Sequence, residues 1–589
     1  MRLSALVAFV LLISSWHAAS PAQTFGPDTY RTSQECAGSA TGECTGQGIT
    51  PAGLNCVATA DGGRRCEGFL SSAVDDTLLD VTVSVPAGAG PHPLVVSLHG
   101  WGGSKDGQGY LTDKFTEHYA ILRYSARGFG RSWGQVNLAD VHLELEDLRS
   151  MIGQVVDMPD LGINPDAVGI TGVSYGGGQT WLSLLQPTFA SPHGAHVRIR
   201  AVAPIVPWSD LLYSLAPNGR PQHSLSPAGS PRLSLLNALY ASGLRKDEDF
   251  LLRPYSNYPD YLHEWAAWID ATEPNETDPV YPQVRDGLAG YRSIWWQRHF
   301  WRRAVRQRVP IFQVQGLTDD LFPLPEAKRM LLRIKNLDPD YPIASYFGDI
   351  GHPRASNKTA ERDYVLGLIK EWFDYYLRGT GNAPAAVIRA AITRPREQPF
   401  DPADVITVAT YDALATGTIS KTFDGSAVLA NPVPAPTAPS LCWDPLFMEA
   451  WSTTMECPPP PAPPFVEQSL GVFSVPVAQL SGGGPLIIAG QPSVRFQAFT
   501  PGPRVQLDVR LIDVAPDGTK RLVTRGTFIL EDIGTTRVTI PTYGNVWQAL
   551  GDHLLRLEIT NVDAPYIAPS RVPSVTTISR VRLDLPVRQ

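Results

Sequence analysis

Between Ile170 and Thr180 the chain reads ITGVSYGGGQT, where the apolar run Val168 to Val173 passes through Gly172-Val173-Ser174-Tyr175-Gly176 straight into a helical pattern. A strand that reverses into a helix this abruptly brings two backbones together. A Cβ at Gly172 or Gly176 is therefore expected to collide with its neighbours. Ser174 is left at the apex, exposed and strained, where a nucleophile would stand. The pentapeptide alone is a weak signal in a chain of 589 residues, so its meaning depends on what lies downstream.

Apolar runs near Leu79 to Val85, Pro93 to His99, Tyr119 to Tyr124, Val168 to Val173, Ile199 to Ile205, Ile311 to Gln315 and Ile343 to Phe347 read as strands, with helical patterns between several of them. Such alternation implies an α/β fold, a mostly parallel sheet covered on both faces, with ligands bound at the carboxyl ends of its strands. Ser174 stands at one such end. Asp319 follows the strand Ile311 to Gln315, and His352 follows Ile343 to Phe347 in a loop marked by Gly351 and Pro353. The chain order Ser174, Asp319, His352 is that of α/β-hydrolases and is far more specific than the pentapeptide. In that chemistry His352 takes the Ser174 proton, Asp319 fixes the imidazole tautomer, and the serine attacks an acyl carbon.

Alternatives stand beside each assignment. Asp320 is adjacent to Asp319 and competes for its role, although the Gly-x-x-Asp spacing from Gly316 favours Asp319. Asp349 reads as a turn residue, and His118, His142 and His299 as ordinary packed or surface residues of helices. Asp140, His142, Glu144, Glu146 and Asp147 suggest a metal at first sight, but steps of two scatter side chains around a helix, so a solvated face is expected. No metal and no organic cofactor is called for. For the oxyanion, the backbone N–H of Tyr175 is one donor by position, and the loop His99-Gly100-Trp101-Gly102-Gly103 offers that of Trp101 as the second.

Hydrophobic content of 43% suffices for packed cores, and a net charge of -8 with no basic cluster argues against nucleic acid and anionic membranes. Met1 to Ala22 has the pattern of an export signal, and no other stretch offers the roughly eighteen apolar residues of a membrane span. A secreted or periplasmic location is expected. The six cysteines, Cys36, Cys44, Cys56, Cys66, Cys442 and Cys457, lack zinc-knuckle spacing and read as disulfide partners. Cys442 with Cys457 is the natural pair, and three pairings remain open for the first four.

The segments Gly172-Val173-Ser174-Tyr175-Gly176-Gly177, Ala126-Arg127-Gly128-Phe129-Gly130-Arg131-Ser132 and Glu371-Trp372-Phe373-Asp374-Tyr375-Tyr376-Leu377-Arg378-Gly379 resemble the X-Pro dipeptidyl-peptidase and cocaine esterase family, as does the stretch around Val505 to Gly518. The resemblance spans roughly residues 75 to 589. It implies a helical cap inserted before the acidic residue and a jelly-roll domain after the hydrolase domain, which jointly close the substrate pocket. One departure is the loop His99 to Gly103: family members typically present a tyrosine hydroxyl there, whereas this loop looks like those of lipases and broader esterases.

The expected organisation is a signal segment 1–22, a Cys-rich segment 23–74, an α/β-hydrolase domain 75–395 with a cap at about 207–305, and an all-β jelly-roll domain 396–589 carrying a Pro-rich insertion at about 432–464. Cap aromatics Trp208, Tyr255, Tyr258, Trp265, Trp268, Trp295, Trp296, Phe300 and Trp301 are mostly core, a few lining an acyl or aryl pocket. The leading function is a serine hydrolase acting on carboxylic esters, with a small-molecule or peptide acyl substrate. A dipeptidyl-peptidase is the second reading and needs an acidic clamp for an amino terminus, with Glu264, Asp270 and Glu273 as candidates. A polymer-binding protein with a vestigial triad is the third. Oligomeric state is not legible.

Overall fold

The structure, a computed structural model, describes residues 44–220, 224–245, 253, 255–271, 273–433, 443–446 and 470–589. Cys36, Cys442, Cys457, the signal-like segment and most of the Pro-rich stretch lie outside the described residues.

Among the described residues twelve strands form the principal sheet. They are β1 (Gly53–Ala58), β2 (Arg64–Ser71), β3 (Leu78–Val85), β4 (His92–Leu98), β5 (Ala120–Tyr124), β6 (Ile163–Val173), β7 (Thr188–Ala190), β8 (His196–Ile205), β9 (Ile311–Gly316), β10 (Ile343–Gly348), β11 (Ile388–Ala391) and β12 (Val405–Val408). The spatial order is β1-β2-β3-β5-β4-β6-β8-β9-β10-β11-β12, with β7 beside β8. From β5 to β11 neighbours run parallel, and the pairs at either end are antiparallel. All seven expected strands are present. β6 and β8 begin earlier than expected because their first residues, such as Asn164, Asp166, His196 and Arg198, are polar and partly exposed, so apolar runs mark only the buried ends. The Cys-rich segment extends this sheet: Cys56 faces Cys66 across β1 and β2, and the two form a disulfide. Cys44 is disulfide-bonded as well.

Helix α1 (Glu144–Val156) corrects the expectation of a solvated acidic face. Asp140, Glu144 and Asp147 are buried. Asp147 accepts two 2.7 Å bonds from Arg127, Asp140 lies 3.1 Å from Arg292, and Glu144 accepts the N–H groups of Asn137 and Asp140. Burial pushes the Glu144 carboxyl up to about 7. Asp147 and Asp140 meet arginines far off in sequence, which helical spacing does not reveal. His142 and His299 are exposed, and of the three histidines expected in helices only His299 is helical, His118 and His142 sitting in turns.

Helix α2 (Tyr175–Leu182) follows Ser174, and between β8 and β9 the chain forms the cap, with α3 (Leu211–Leu215), α4 (Leu233–Gly243), α5 (Asp260–Ala271), α6 (Tyr281–Arg292) and α7 (Arg298–Gln307). Beyond β12 the described residues form two antiparallel sheets, of seven and four strands. The long strand Ser574–Arg588 pairs with four others in the larger sheet. Inward residues of both sheets, among them Val494, Ile578, Leu583, Leu507, Val509 and Leu557, share one apolar core, as a β-sandwich requires.

Candidate active site

β6 ends at Val173 and α2 begins at Tyr175, so Ser174 alone makes the reversal. Its backbone has φ 57° and ψ -112°, which costs a non-glycine residue on the order of 1–3 kcal/mol. Close packing holds it there. A Cβ on Gly172 would lie 2.6 Å from the carbonyl carbon of Gly176, and one on Gly176 would lie 2.3 Å from the Leu98 oxygen. Ser174 N–H donates to the Ile205 carbonyl at 2.9 Å, tying the turn to the next strand.

The three sequence-assigned residues meet. Ser174 Oγ is 2.7 Å from His352 Nε2, and His352 Nδ1 is 2.7 Å from Asp319 Oδ2. Asp319 is buried and held on every side: Oδ1 accepts the N–H groups of Leu321 and Phe322 at 2.9 and 2.8 Å, while Oδ2 also accepts the His352 N–H at 3.1 Å. A carboxylate so fixed leaves the imidazole one orientation, Nδ1–H toward Asp319 and Nε2 free to take a proton. Gly351 permits the approach, since its φ is 139° and a Cβ there would lie 2.4 Å from Asp319 Oδ2. Phe322 packs edge-on against His352 with ring centres 4.8 Å apart.

Asp320 does different work. Its carboxylate takes a two-pronged contact from Arg354, at 2.9 and 2.8 Å, and lies 3.8 Å from Arg525 of the β-sandwich. Tyr566 donates to its carbonyl at 2.8 Å, and Arg354 reaches the Leu522 carbonyl. The loops carrying Asp319 and His352 are thus stapled to each other and to the C-terminal domain. Sequence reading missed Arg354 and Arg525. Position 354, two residues past His352, was the one available signal. Asp349, read as a turn residue, is buried and accepts the Thr318 hydroxyl at 2.6 Å.

On the oxyanion side, Tyr175 is the first residue of α2, so its N–H has no carbonyl within the helix to meet. A Cβ at Gly100 would lie 3.8 Å from Ser174 Cβ, which sets the Gly100-Trp101 loop beside Ser174. His99 pins that loop: Nε2 accepts the Ala126 N–H at 2.9 Å, and Nδ1 lies 2.7 Å from the Gly100 carbonyl. Full burial lowers its pKa to about 4, keeping the ring neutral and able to serve both partners. The Trp101 indole donates to the Leu239 carbonyl of α4 at 2.8 Å, coupling loop to cap.

Above Ser174 opens a cavity of about 130 Å³, walled by Trp101, Tyr175, Leu321 and Phe322 from the core side and by Trp208 and apolar residues of α3 to α6 from the cap. Of the nine cap aromatics, Trp208, Tyr258 and Trp265 line it. No described lining residue is charged. The clamp candidates Glu264, Asp270 and Glu273 are not among them. Glu273 instead receives Arg504 at 2.6 Å, Ser570 at 3.1 Å and the Arg571 N–H at 2.7 Å, joining cap to sandwich. Among the described residues no His, Cys, Asp and Glu group suited to a metal ion is found, and no helix is long and apolar enough to cross a membrane.

Residues 75–339 match the family described as X-Pro dipeptidyl-peptidase (S15 family). Solved structures share the fold over nearly the whole chain. An aminopeptidase from a marine sediment Thaumarchaeota archaeon superimposes with a TM-score of 0.56 at 14% identity, over 97% of this chain and 100% of the other. A CocE/NonD family hydrolase from Staphylococcus aureus gives 0.59 at 11% identity, over 92% and 97%. An alpha-amino acid ester hydrolase gives 0.55 at 15% identity, over 92% and 99%. Among curated protein sequences no match is found. At these coverages this chain and these structures share their overall fold.

Proposed function

From the membership of residues 75–339 in the X-Pro dipeptidyl-peptidase (S15) family, which makes the chain a hydrolase, we propose that it cleaves carboxylic esters through a triad of Ser174, His352 and Asp319. The observation that carries the reading is the hydrogen-bonded chain from Ser174 Oγ through His352 to the buried Asp319, opening onto an uncharged cavity.

In the proposed cycle Ser174 Oγ gives its proton to His352 Nε2 as it bonds to the ester carbonyl carbon. The carbonyl oxygen becomes an oxyanion, facing the N–H groups of Tyr175 and Trp101. His352 returns the proton to the departing alkoxide, leaving an acyl-Ser174. Water then attacks the acyl carbon as His352 accepts its proton, and the carboxylic acid leaves with Ser174 restored. Asp319 stabilises the imidazolium in both halves.

Cavity size narrows the substrate. An apolar cavity of roughly 150 Å³ holds one benzene ring, so the 130 Å³ here suits one aromatic ring or a short branched chain. The absence of a charged group among the described lining residues speaks for an ester with a neutral body over an X-Pro peptide, whose ammonium would enter an apolar cavity unpaired. Amide cleavage by the same triad remains the second reading, favoured by the family's own description. Export to an oxidising compartment belongs to the proposal and is supported by the Cys56–Cys66 disulfide.

Side-by-side turnover of a short-chain aryl ester and an Ala-Pro anilide, with Ser174→Ala as blank, tests this. Ester hydrolysis lost in the variant, with the anilide untouched, is expected. Faster cleavage of the anilide would overturn the ester reading.

A further inference from the structure

Helix α4 turns two polar side chains to the cavity. Asn237 and Tyr240 are three residues apart, hence neighbours on one face, and both line the space that Ser174 opens into. Four other polar tips nearby are already committed to protein acceptors: the Trp101 N–H to Leu239, the Trp208 N–H to the Arg292 carbonyl, the Tyr258 hydroxyl to the Tyr240 carbonyl, and the Tyr175 hydroxyl to Glu144. Asn237 has no hydrogen-bond partner among the described residues. Its amide carries two donors and an acceptor.

Tyr240 is held in place from behind. Its hydroxyl lies 2.6 Å from His263 Nδ1, and His263 Nε2 lies 2.7 Å from Ser256 Oγ. Burial lowers the His263 pKa and raises that of Tyr240, so the relay stays uncharged. One contact leaves a phenolic hydroxyl with hydrogen-bonding capacity to spare, and Tyr240 is among the residues that line the cavity.

Resting on the ester-hydrolase reading for its biological sense, we propose that Asn237 and Tyr240 form a neutral subsite that recognises the hydroxyl of a phenolic substrate. The cavity is sized for one ring, and the aromatic side chains among its walls, such as Trp101, Trp208 and Phe322, suit an aromatic body. A cation or anion would lose its hydration there without a counter-charge, whereas a hydroxyl meets both a donor and an acceptor.

The test uses binding, which needs no turnover. Phenol and toluene have nearly one shape, and toluene leaves water more readily, so a preference for phenol demands hydrogen bonds from the site. Calorimetric titration of Ser174→Ala is expected to give phenol about fivefold tighter binding than toluene, the worth of about one net hydrogen bond. Asn237→Leu and Tyr240→Phe, each in that background, are expected to erase the preference by weakening phenol while toluene is unchanged. Toluene binding as tightly as phenol, or either variant weakening both ligands alike, would overturn the subsite. Aryl-ester turnover by the unsubstituted enzyme, measured in parallel, reports separately on the parent reading. Turnover dependent on Ser174 with no phenol preference sinks the subsite alone.

Discussion

Two walls face each other across the cavity. On the hydrolase side, Asp319 accepts four hydrogen bonds and is buried, and the loops beside it are clamped by Asp320, Arg354 and Arg525. On the cap side, Leu236, Leu239, Leu262, Ile269, Val284 and Leu288 offer apolar surface with two uncharged polar tips. Proton transfer tolerates little displacement, so its groups are over-determined by directional bonds. Recognition of an apolar body rests on shape and volume, which nondirectional contacts supply and single substitutions retune.

Changes on the first wall should therefore be severe and specific. Asp319→Asn leaves the neighbouring N–H donors in place yet disturbs the imidazole tautomer, and is expected to lower kcat for an aryl ester about 10⁴-fold with little change in Tm. Its neighbour behaves in the opposite way. Asp320→Asn leaves the buried Arg354 without its counter-charge and takes from Arg525 one of two carboxylates, the other being Asp563 at 4.0 Å, and is expected to cost about 3–5 kcal/mol of stability in urea unfolding, with activity falling in step. Equal loss of kcat with unaltered stability in both variants would erase the distinction between the two aspartates.

His99 adds a pH dependence to the same wall. Its folded pKa of about 4 lies below the 6.5 of the free side chain, so between those values the unfolded chain binds more protons. Stability is then complete above pH 6.5 and is lost as pH falls toward 4, by about 3 kcal/mol in all. Urea titrations at pH 7 and pH 4.5 should show this loss shrinking in His99→Gln. An identical loss in that variant would place the proton uptake elsewhere.

The smallest effect belongs to the cap. Leu288→Ala removes about three carbons from the far wall, and should shift kcat/KM toward a larger acyl group by about tenfold while the Ser174-dependent chemistry persists. Unchanged acyl preference would mean that this part of the cavity does not meet substrate.

The two walls also differ in how much the sequence discloses. Strand ends, the glycines at 172 and 176, and the order of Ser174, Asp319 and His352 are local patterns, and the structure brings those three side chains together where the spacing implied. Partners that meet only through tertiary packing were silent: Arg127 with Asp147, Arg292 with Asp140, and Glu273 with Arg504. A carboxylate on a helix reads as solvated until its arginine is known. That is why the acidic cluster near α1 was misjudged and why Glu273 looked available for a substrate. In the cap, nine aromatics at helical spacing gave no means of telling the three that line the cavity from those that fill the core.

The central claim is that Ser174 carries the acyl group. Incubation with a fluorophosphonate, followed by peptide mapping in a mass spectrometer, measures this directly. A single adduct on the peptide containing Ser174, appearing in step with the loss of ester hydrolysis, is the predicted result. Inactivation with Ser174 unmodified, or hydrolysis persisting after its complete modification, would contradict the account.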